Sequence, residues 1–303
     1  MIMLELPLVT IVTPSYNQGR FIEETILSVL NQDYPNIEYI VMDGGSTDQT
    51  LDILKKYSGR ITWFSEKDKG QTDAINKGLR LAKGEILAYL NSDDTYLPGA
   101  VTRAVQYLTS ENPDSLFVYG EGYHTTAEGK IIERYPTEPY NFDRLAETCF
   151  ICQPATFWKR EVIETIGLFD QDLHYALDYD YWIRIAKHYG TLEHISDYLA
   201  NSRFYQETKT LSKRVEAHAE FLNVIRKHYG TGNIPSKWIY AYAHMYMDRL
   251  VSRETKPGNA LFILGMTTVT TLKFLQYNHA LPFSEFRRWK QWYVDSLFHY
   301  GES

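Results

Sequence analysis

The first hundred residues alternate between short apolar runs and amphipathic stretches, and this alternation constrains the fold more than any other feature of the sequence. Val9–Thr13, Ile37–Met42, Ile61–Phe64 and the first part of Gly84–Asp94 have the near-continuous hydrophobicity of buried parallel strands. The stretches between them carry apolar residues at helical spacing. Strands that alternate with helices form a parallel sheet with right-handed crossovers, so the sequence predicts an α/β fold.

The pattern changes after about residue 110. Leu116–Tyr123 and Lys130–Arg134 alternate between apolar and polar residues and predict an antiparallel hairpin. Ala155–Trp158 predicts a further short strand, and Asp178–Tyr189 predicts a helix. From about Leu211 the sequence is helical, with breaks at glycine and proline residues.

Composition and charge exclude several classes of protein. The 303 residues carry a net charge of −7, which argues against a nucleic-acid partner. Glu5 interrupts the apolar start, so no signal peptide is expected, and no uncharged run has the length of a membrane span. The cysteines are Cys149 and Cys152, and the absence of a second pair in the sequence argues against a zinc or redox site. We therefore expect a cytoplasmic protein with two reduced thiols.

Three of the predicted strands end in polar side chains. These are Thr13 with Tyr16, then Asp43, then Asn91 with Asp93 and Asp94. The carboxyl ends of parallel strands share one edge of a sheet, where ligands bind in open α/β folds. Paired carboxylates at a strand end are typical ligands of Mg2+ and Mn2+. The alternative is that Asp93 and Asp94 only form a turn, in which aspartate is common.

Five sets of residues, in this order, resemble the inverting glycosyltransferases of family 2. They are Val12–Asn17, Asp43–Asp48, Asp68–Gly70 with Asp73–Asn76, Leu90–Asp94 and Asp178–Trp182. Each motif is weak alone, but their order is specific, and the resemblance covers about Leu8 to Thr210. It implies a GT-A (Rossmann-like) fold, with a mixed, mainly parallel sheet flanked by helices and a C-terminal helical extension. The implied parts are a nucleotide-sugar-binding half over 1–110, an acceptor-binding and catalytic half of the same domain over 111–230, and the extension over 231–303.

The resemblance also implies an activity and a donor site. The implied enzyme moves a sugar from a nucleotide-activated donor, a UDP-sugar by family habit, to a hydroxyl of a glycan or lipid-linked acceptor in cell-surface polysaccharide or glycolipid synthesis. The implied donor-binding residues are Thr13, Pro14, Tyr16, Asp43, Asp68, Asp73, Asn91 and Ser92. Asp93 and Asp94 would hold Mn2+ or Mg2+ against the diphosphate. Asp43 could instead only form a turn, and Asp68 and Asp73 could be solvated charges at a helix start.

The implied catalytic base is Asp178, although the Glu that precedes it in the family is Leu177 here. The alternative is that Asp178 only caps its helix. Gln153 and Trp182 match positions near the acceptor, and Trp182 also fits the inner face of the helix.

Tyr205 marks a departure from the family, because many relatives have a metal-binding His at this position. Arg203 and Lys209 could then carry part of the diphosphate charge. A different class of protein, a non-catalytic sugar-binding or nucleotide-binding protein on a GT-A fold, is the competing interpretation.

The C-terminal segment has its own pattern. Leu261, Leu264, Val269, Leu272 and Leu275 fit one face of a helix, and an aromatic side follows with Trp289, Trp292, Tyr293 and Phe298. Basic residues outnumber acidic ones from Lys237 onward. These features fit peripheral contact with the inner face of the membrane, and they also fit a homodimer contact or packing on the catalytic domain.

Overall fold

The computed structural model describes residues 6–205, 213–279, 286–287, 289–291 and 294. The predictions for Lys209, Trp292, Tyr293 and Phe298 lie outside these residues. The chain divides into two compact units, one formed by Met1–Leu145 with Cys149–Thr208 and the other by Ala146–Thr148 with Lys209–Ser303.

The first unit begins with four strands that alternate with three helices, as the sequence predicts. They are β1 (Val9–Ser15), α1 (Ile22–Leu30), β2 (Ile37–Asp43), α2 (Thr50–Lys56), β3 (Thr62–Ser65), α3 (Gln71–Leu81) and β4 (Ile86–Tyr89). These strands pair in the order β3-β2-β1-β4, and every pair is parallel. Their carboxyl ends therefore lie along one edge of the sheet, which is where the polar motifs follow.

The remainder of the first unit extends the same sheet with mixed pairing. Its elements are β5 (Thr95–Tyr96), α4 (Ala100–Gln106) with a π-helical turn (Tyr107–Glu111), β6 (Phe117–Thr125), β7 (Ile131–Arg134), α5 (Phe142–Glu147), a 3-10 turn (Gln153–Ala155), β8 (Thr156–Lys159), α6 (Glu161–Ile166), α7 (Leu177–Tyr189) and β9 (Glu193–Arg203). The full order is β3-β2-β1-β4-β8-β6-β9-β5, with β7 on β6. The predicted hairpin is confirmed as the antiparallel β6–β7 pair.

Gly84, between α3 and β4, allows the chain to pass close to β1. A Cβ atom at this position would lie 2.5 Å from the backbone nitrogen of Thr10, which cannot move without breaking the sheet. We expect Gly84→Ala to lower the free energy of unfolding by about 2 kcal/mol through overpacking. Gly59→Ala is the control, because no atom lies within 4 Å of its Cβ position. Urea denaturation measures both variants, and equal stability would contradict this account of Gly84.

The second unit contains three helices, α8 (Arg214–Tyr229), α9 (Ser236–Leu250) and α10 (Lys256–Asn278). Phe221 of α8 stacks on Trp238 of α9 at 5.2 Å, and Arg249 of α9 pairs with Glu216 of α8 at 3.1 Å. These contacts place α8 in the second unit, so the boundary lies near residue 209 and not at the expected residue 231.

Helix α10 is long and apolar enough to cross a membrane, by length and composition alone, over Pro257–Asn278, with 28% of its most apolar window buried. This stretch is not an uncharged run, because it contains Lys273. Core helices of soluble proteins meet the same criterion, and the contacts of α10 with α9 show that one of its faces is packed within the unit.

Candidate active site

Asn91 is the centre of a hydrogen-bond network at the end of β4. Its Nδ2 donates to Gln153 Oε1 at 3.0 Å and to Asp94 Oδ2 at 3.3 Å, and its Oδ1 accepts from Gln71 Nε2 at 2.7 Å. Gln153 in turn donates to the carbonyl of Tyr89 at 2.9 Å. The predicted donor residue Asn91 and the predicted acceptor residue Gln153 are therefore in direct contact. Gln71 was missed, although it directly follows the Asp68–Gly70 motif.

Asp94 is buried and serves as an anchor of the loop after β4. Its Oδ1 accepts from the backbone N–H of Arg203 at 2.9 Å, and its Oδ2 accepts from Asn91. Thr25 of α1 donates to the carbonyls of buried Ser92 and of Asp94, at 2.9 and 2.8 Å. Burial, and next the charge of Asp93, raise the pKa of Asp94 to about 8. Because both of its oxygens are engaged, Asp94 supports the predicted metal site and is poorly placed to be a ligand.

Asp93 is the carboxylate that the fold leaves available. Tyr205 Oη donates to its Oδ2 at 2.9 Å, and no other residue that the structure describes donates to its Oδ1. Burial raises the pKa of Asp93, and the Tyr205 hydrogen bond partly counters this. A bound cation would favour its charged form.

The donor set at this strand end fits a divalent cation with few protein ligands. No cluster of three or more His, Cys, Asp or Glu side chains able to hold a metal occurs among the described residues. Mg2+ is commonly held by one or two carboxylates and completed by substrate phosphates and water. Asp93, with an oxygen not used by another described residue, meets that requirement, so the residues present fit Mg2+ or Mn2+.

Arg203 is committed to the fold, which corrects its predicted contact with a diphosphate. Its Nη1 donates to the carbonyl of Asp93 at 2.8 Å, its Nη2 forms an ion pair with Glu24, and its guanidinium lies 4.8 Å from the ring centroid of Phe21. The side chain is only 3% exposed. A guanidinium so enclosed positions the strand end and does not present its charge to a ligand. Glu24 of α1 and Phe21, which precedes α1, were not predicted, because nothing in the local sequence marks them.

Tyr205 orients the Asp93 carboxylate, and this leads to a testable prediction. Tyr205→Phe removes the hydroxyl that holds Oδ2, so we expect Mn2+ affinity in the presence of a nucleoside diphosphate to fall about tenfold, as is usual when a partner of a metal ligand is lost. Tyr34→Phe is the control, because it also loses a hydroxyl hydrogen bond, to the carbonyl of Pro7 at 2.6 Å. Calorimetric titration of Mn2+ measures the effect. Equal affinities in the two variants would show that Tyr205 has no part in cation binding.

Two of the predicted donor contacts at the end of β1 are part of the core. Thr13 is wholly buried with its hydroxyl 3.0 Å from Tyr39 Oη, and Pro14 is buried beside it. The strand extends to Ser15, two residues further than predicted, because β1 continues to pair with β2 as far as Asp43. Tyr16 is the first side chain to emerge, at 60% exposed. Of these three residues, only Tyr16 offers a side chain to a ligand.

Asp43 forms the turn after β2, the alternative that its sequence context left open. Its Oδ2 accepts from the backbone N–H groups of Gly45 and Ser46 and from the hydroxyl of Ser65, at 3.1, 2.9 and 2.6 Å. Its Oδ1 accepts from the hydroxyl of Ser46. The carboxylate is buried, so its role in the turn is established by the structure. Base recognition by Asp43 stays a prediction.

Asp68 and Asp73 lie beside this turn at the start of α3. A Cβ on Gly44 would be 2.6 Å from Asp68 Oδ2, so Asp68 lies against the turn that Asp43 holds. Burial, and then the charge of Asp73, raise the pKa of Asp68. Burial also acts on Asp73, but the Lys69 N–H and the Lys77 ammonium outweigh it and lower the pKa of Asp73. Both carboxylates are half-buried at the edge of the sheet where a donor is predicted.

Asp178 lies in the first turn of α7 and is half-buried. The N-cap residue is Ala176, so Asp178 is not the cap that the alternative interpretation expected. Burial, and then the charges of Asp178 and Asp94, raise the pKa of Tyr89. Both carboxylates therefore act electrostatically on the same buried tyrosine, and the role of Asp178 as the base stays a prediction. Asp180 is buried and pairs with Arg184 at 2.8 Å, which marks it as structural.

Trp182 packs in the core, which corrects its predicted contact with an acceptor. Its side chain has no exposed surface, and its ring lies 4.9 Å from Phe117 and 6.0 Å from Trp158. The helical stripe to which it belongs faces the sheet, and a side chain on that face cannot reach an open site.

Comparison with known proteins identifies the family. The profile of glycosyl transferase family 2 matches residues 10–167. The chain belongs to glycosyltransferase family 2. It is 32% identical over 194 residues to an uncharacterized glycosyltransferase of Rickettsia typhi, which covers 60% of this chain and 59% of that protein. It is 28% identical over 224 residues to the chondroitin synthase of Escherichia coli, which covers 72% of this chain and 32% of the synthase.

Solved structures show that this family 2 glycosyltransferase has the GT-A fold. S. aureus TarS 1-349 in complex with UDP-GlcNAc matches with a TM-score of 0.60 at 16% identity, over 96% of this chain and 81% of that one. The mannosyltransferase PcManGT from Pyrobaculum calidifontis, in complex with GDP-Man and Mn2+, matches with a TM-score of 0.58 at 20% identity, over 97% and 85%. The expected fold, with its sheet flanked by helices, is confirmed.

Proposed function

We propose that this glycosyltransferase is an inverting, metal-dependent enzyme that transfers a sugar from a UDP-sugar to an acceptor hydroxyl. The observation that carries the proposal is the Asp93 carboxylate just after β4, which keeps one oxygen that could bind a cation. Tyr205 holds Oδ2 of Asp93, and no other described residue engages Oδ1. Burial, and then the charges of Asp178 and of Asp94, the residue next to Asp93, raise the pKa of Tyr89. UDP-GlcNAc and GDP-Man with Mn2+ in the two similar structures support a nucleotide-sugar donor and a cation.

The proposed reaction is a single displacement in which the chain supplies the base. Asp178 accepts the proton of the acceptor hydroxyl as its oxygen attacks the anomeric carbon. The new carbon–oxygen bond forms on the face opposite the leaving group, the bond to the diphosphate oxygen breaks, and the bonding electrons leave with the nucleoside diphosphate. This sequence inverts the anomeric configuration. Mg2+ or Mn2+ at Asp93, when bound, stabilises the negative charge of the diphosphate.

The chain's own residues prepare that displacement before any ligand arrives. Tyr205 and the backbone N–H of Arg203 fix the two carboxylates at the end of β4. Asn76 of α3 exchanges hydrogen bonds with the backbone of Phe169, at 2.8 and 3.1 Å, and so ties the loop before α7 to the donor half. Such positioning raises the rate because the reacting groups are already ordered before the transition state forms.

The proposed biological role is the synthesis of a cell-surface polysaccharide or glycolipid by a cytoplasmic enzyme. Two relatives support it by name. One is the chondroitin synthase, and the other is a PGL/p-HBAD biosynthesis glycosyltransferase of Mycobacterium bovis, 29% identical over 187 residues. A glycan or a lipid-linked sugar would be the acceptor.

The proposal is tested with a panel of UDP-, GDP-, dTDP- and ADP-sugars in the presence of Mn2+. We expect one UDP-sugar to bind and to hydrolyse slowly, with both properties lost on addition of EDTA. With a true acceptor, the product is expected to have the opposite anomeric configuration by NMR. Binding without hydrolysis or transfer would favour the competing interpretation, a non-catalytic nucleotide-sugar-binding protein. Failure of every donor to bind would reject both.

A further inference from the structure

Helix α10 is apolar on two opposite faces. Its inner face packs within the second unit, where Phe262 and Met266 are buried together with Met247 of α9. Its outer face exposes leucines at 42–65% of their surface, namely Leu261, Leu264, Leu272 and Leu275. A helix that is apolar on all sides is usually covered on all sides, and soluble monomers rarely expose a continuous apolar patch of this kind.

The outer face carries no charge over its whole length. The single charged residue between Pro257 and Asn278 is Lys273, whose ammonium lies 5.0 and 5.7 Å from the ring centroids of Tyr242 and Tyr277. Tyr277 is buried, so the ammonium is drawn towards the inner side. Thr268, at the centre of the four exposed leucines, donates its hydroxyl to the carbonyl of Leu264 at 2.9 Å. Covering the four leucines and Thr268 therefore buries neither a charge nor an unpaired hydroxyl of these residues.

The leucine stripe, which we define as Leu261, Leu264, Thr268, Leu272 and Leu275, is symmetric about its centre. The leucines stand four and seven residues before Thr268 and four and seven residues after it. At 100° per residue all of them lie within about 40° of Thr268, and the outer two are about 21 Å apart along the axis. Val269, which the sequence suggested for this face, is partly buried against the inner cluster.

We propose that the leucine stripe is the contact surface of a homodimer in which two copies of α10 pair antiparallel about a two-fold axis at Thr268. A two-fold interface requires that residue i meets j of the other copy while j meets i. The symmetric spacing satisfies this requirement, because Leu261 meets Leu275 of the second copy and Leu264 meets Leu272. The small Thr268 side chain at the centre allows the two helices to approach closely.

The absence of charge on the stripe selects a second copy over a membrane. An apolar helix face that binds an anionic membrane is flanked by cations on the same helix. Of the two lysines of α10, Lys273 is turned towards Tyr242 and Tyr277, and Lys256 begins the helix about 120° around the axis from Thr268. The leucine stripe lies in the second unit, and its pairing does not depend on the proposed activity.

Sedimentation equilibrium of the full chain tests the proposal with two matched double variants. Leu264→Glu/Leu272→Glu sets glutamates against each other twice in the antiparallel pair, and we expect a monomer. Leu264→Glu/Leu272→Lys sets each glutamate against a lysine of the other copy, and we expect a dimer like that of the unmodified chain. All substituted side chains are exposed, so circular dichroism should be unchanged. A Thr268→Cys variant is expected to cross-link to a dimer on oxidation, whereas Leu261→Cys alone is not.

Several results would overturn the proposal. A monomeric unmodified chain at about 100 μM would exclude this dimer. A dimer that survives the two glutamates would show that another surface holds it. A monomeric Glu/Lys variant beside a dimeric unmodified chain would exclude antiparallel pairing, because only parallel pairing sets like charges together in that variant. Flotation of the unmodified chain with anionic vesicles, lost in the Glu/Glu variant of a monomeric protein, would show that lipid covers the stripe.

Discussion

Asp178→Asn is expected to abolish sugar transfer while the donor still binds. The amide cannot accept the proton of the acceptor hydroxyl, and loss of a general base lowers kcat by about 10^2- to 10^4-fold. Donor affinity should be nearly unchanged, because the base acts only in the transition state. Steady-state kinetics of transfer and calorimetric titration of the donor measure the two quantities separately.

The matched control is Asp172→Asn, which removes an exposed carboxylate from the loop just before α7. It changes the net charge equally and should keep full activity. Asp180 is unsuitable as a control, because it is buried and paired with Arg184. Near-normal turnover of Asp178→Asn on its true acceptor would show that Asp178 is not the base.

Asp93→Asn is expected to weaken metal-dependent binding of UDP by about 100-fold, which corresponds to a contact of about 3 kcal/mol. The amide oxygen can still accept from Tyr205, so the loop should keep its shape while the charge is lost. Uridine has no phosphate, and its affinity should change little. Titration of both ligands with Mn2+, and again with EDTA, gives the comparison.

Asp94→Asn separates the two neighbouring carboxylates. Both oxygens of Asp94 already accept from the backbone N–H of Arg203 and from Asn91, so the loss of UDP affinity should be smaller than for Asp93→Asn. A larger loss would make Asp94 the ligand. Equal losses of UDP and uridine in Asp93→Asn would show that the strand end shapes the base pocket, and binding unaffected by EDTA would remove the cation from the proposal.

The order of strands and helices in the first unit could be predicted from the sequence. Buried strands such as Val9–Ser15 and half-buried helices such as α3 have characteristic short-range patterns of apolar residues. Each pattern can be recognised within a single segment. The polar residues that follow the strands could be placed at one sheet edge by the same argument, because parallel strands end together. Asp93 is predicted by this argument, whereas Asp178, which lies on a helix, is predicted by the resemblance to the family 2 glycosyltransferases.

The tertiary structure decided which of the candidate side chains are available to a ligand. Arg203 is separated by 109 residues from Asp94, whose carboxylate its backbone holds, and by 179 residues from Glu24, with which its guanidinium pairs. No local sequence pattern predicts such contacts. Because of them, the side chains of Arg203 and Asp94 are not available to a ligand. Thr13 is likewise unavailable to a ligand, because its buried hydroxyl pairs with that of Tyr39 on the neighbouring strand.

Helix α10 shows the same division between local pattern and packing. The sequence by itself determined that leucines recur along one side of a helix, because their spacing is local. Only the packing of α9 decided that Val269 turns inward and that Thr268 stands at the centre of the exposed stripe. Local spacing determines which residues share a helix face, whereas contacts between segments distant in the chain determine which face is covered and which carboxylate oxygen remains for a ligand.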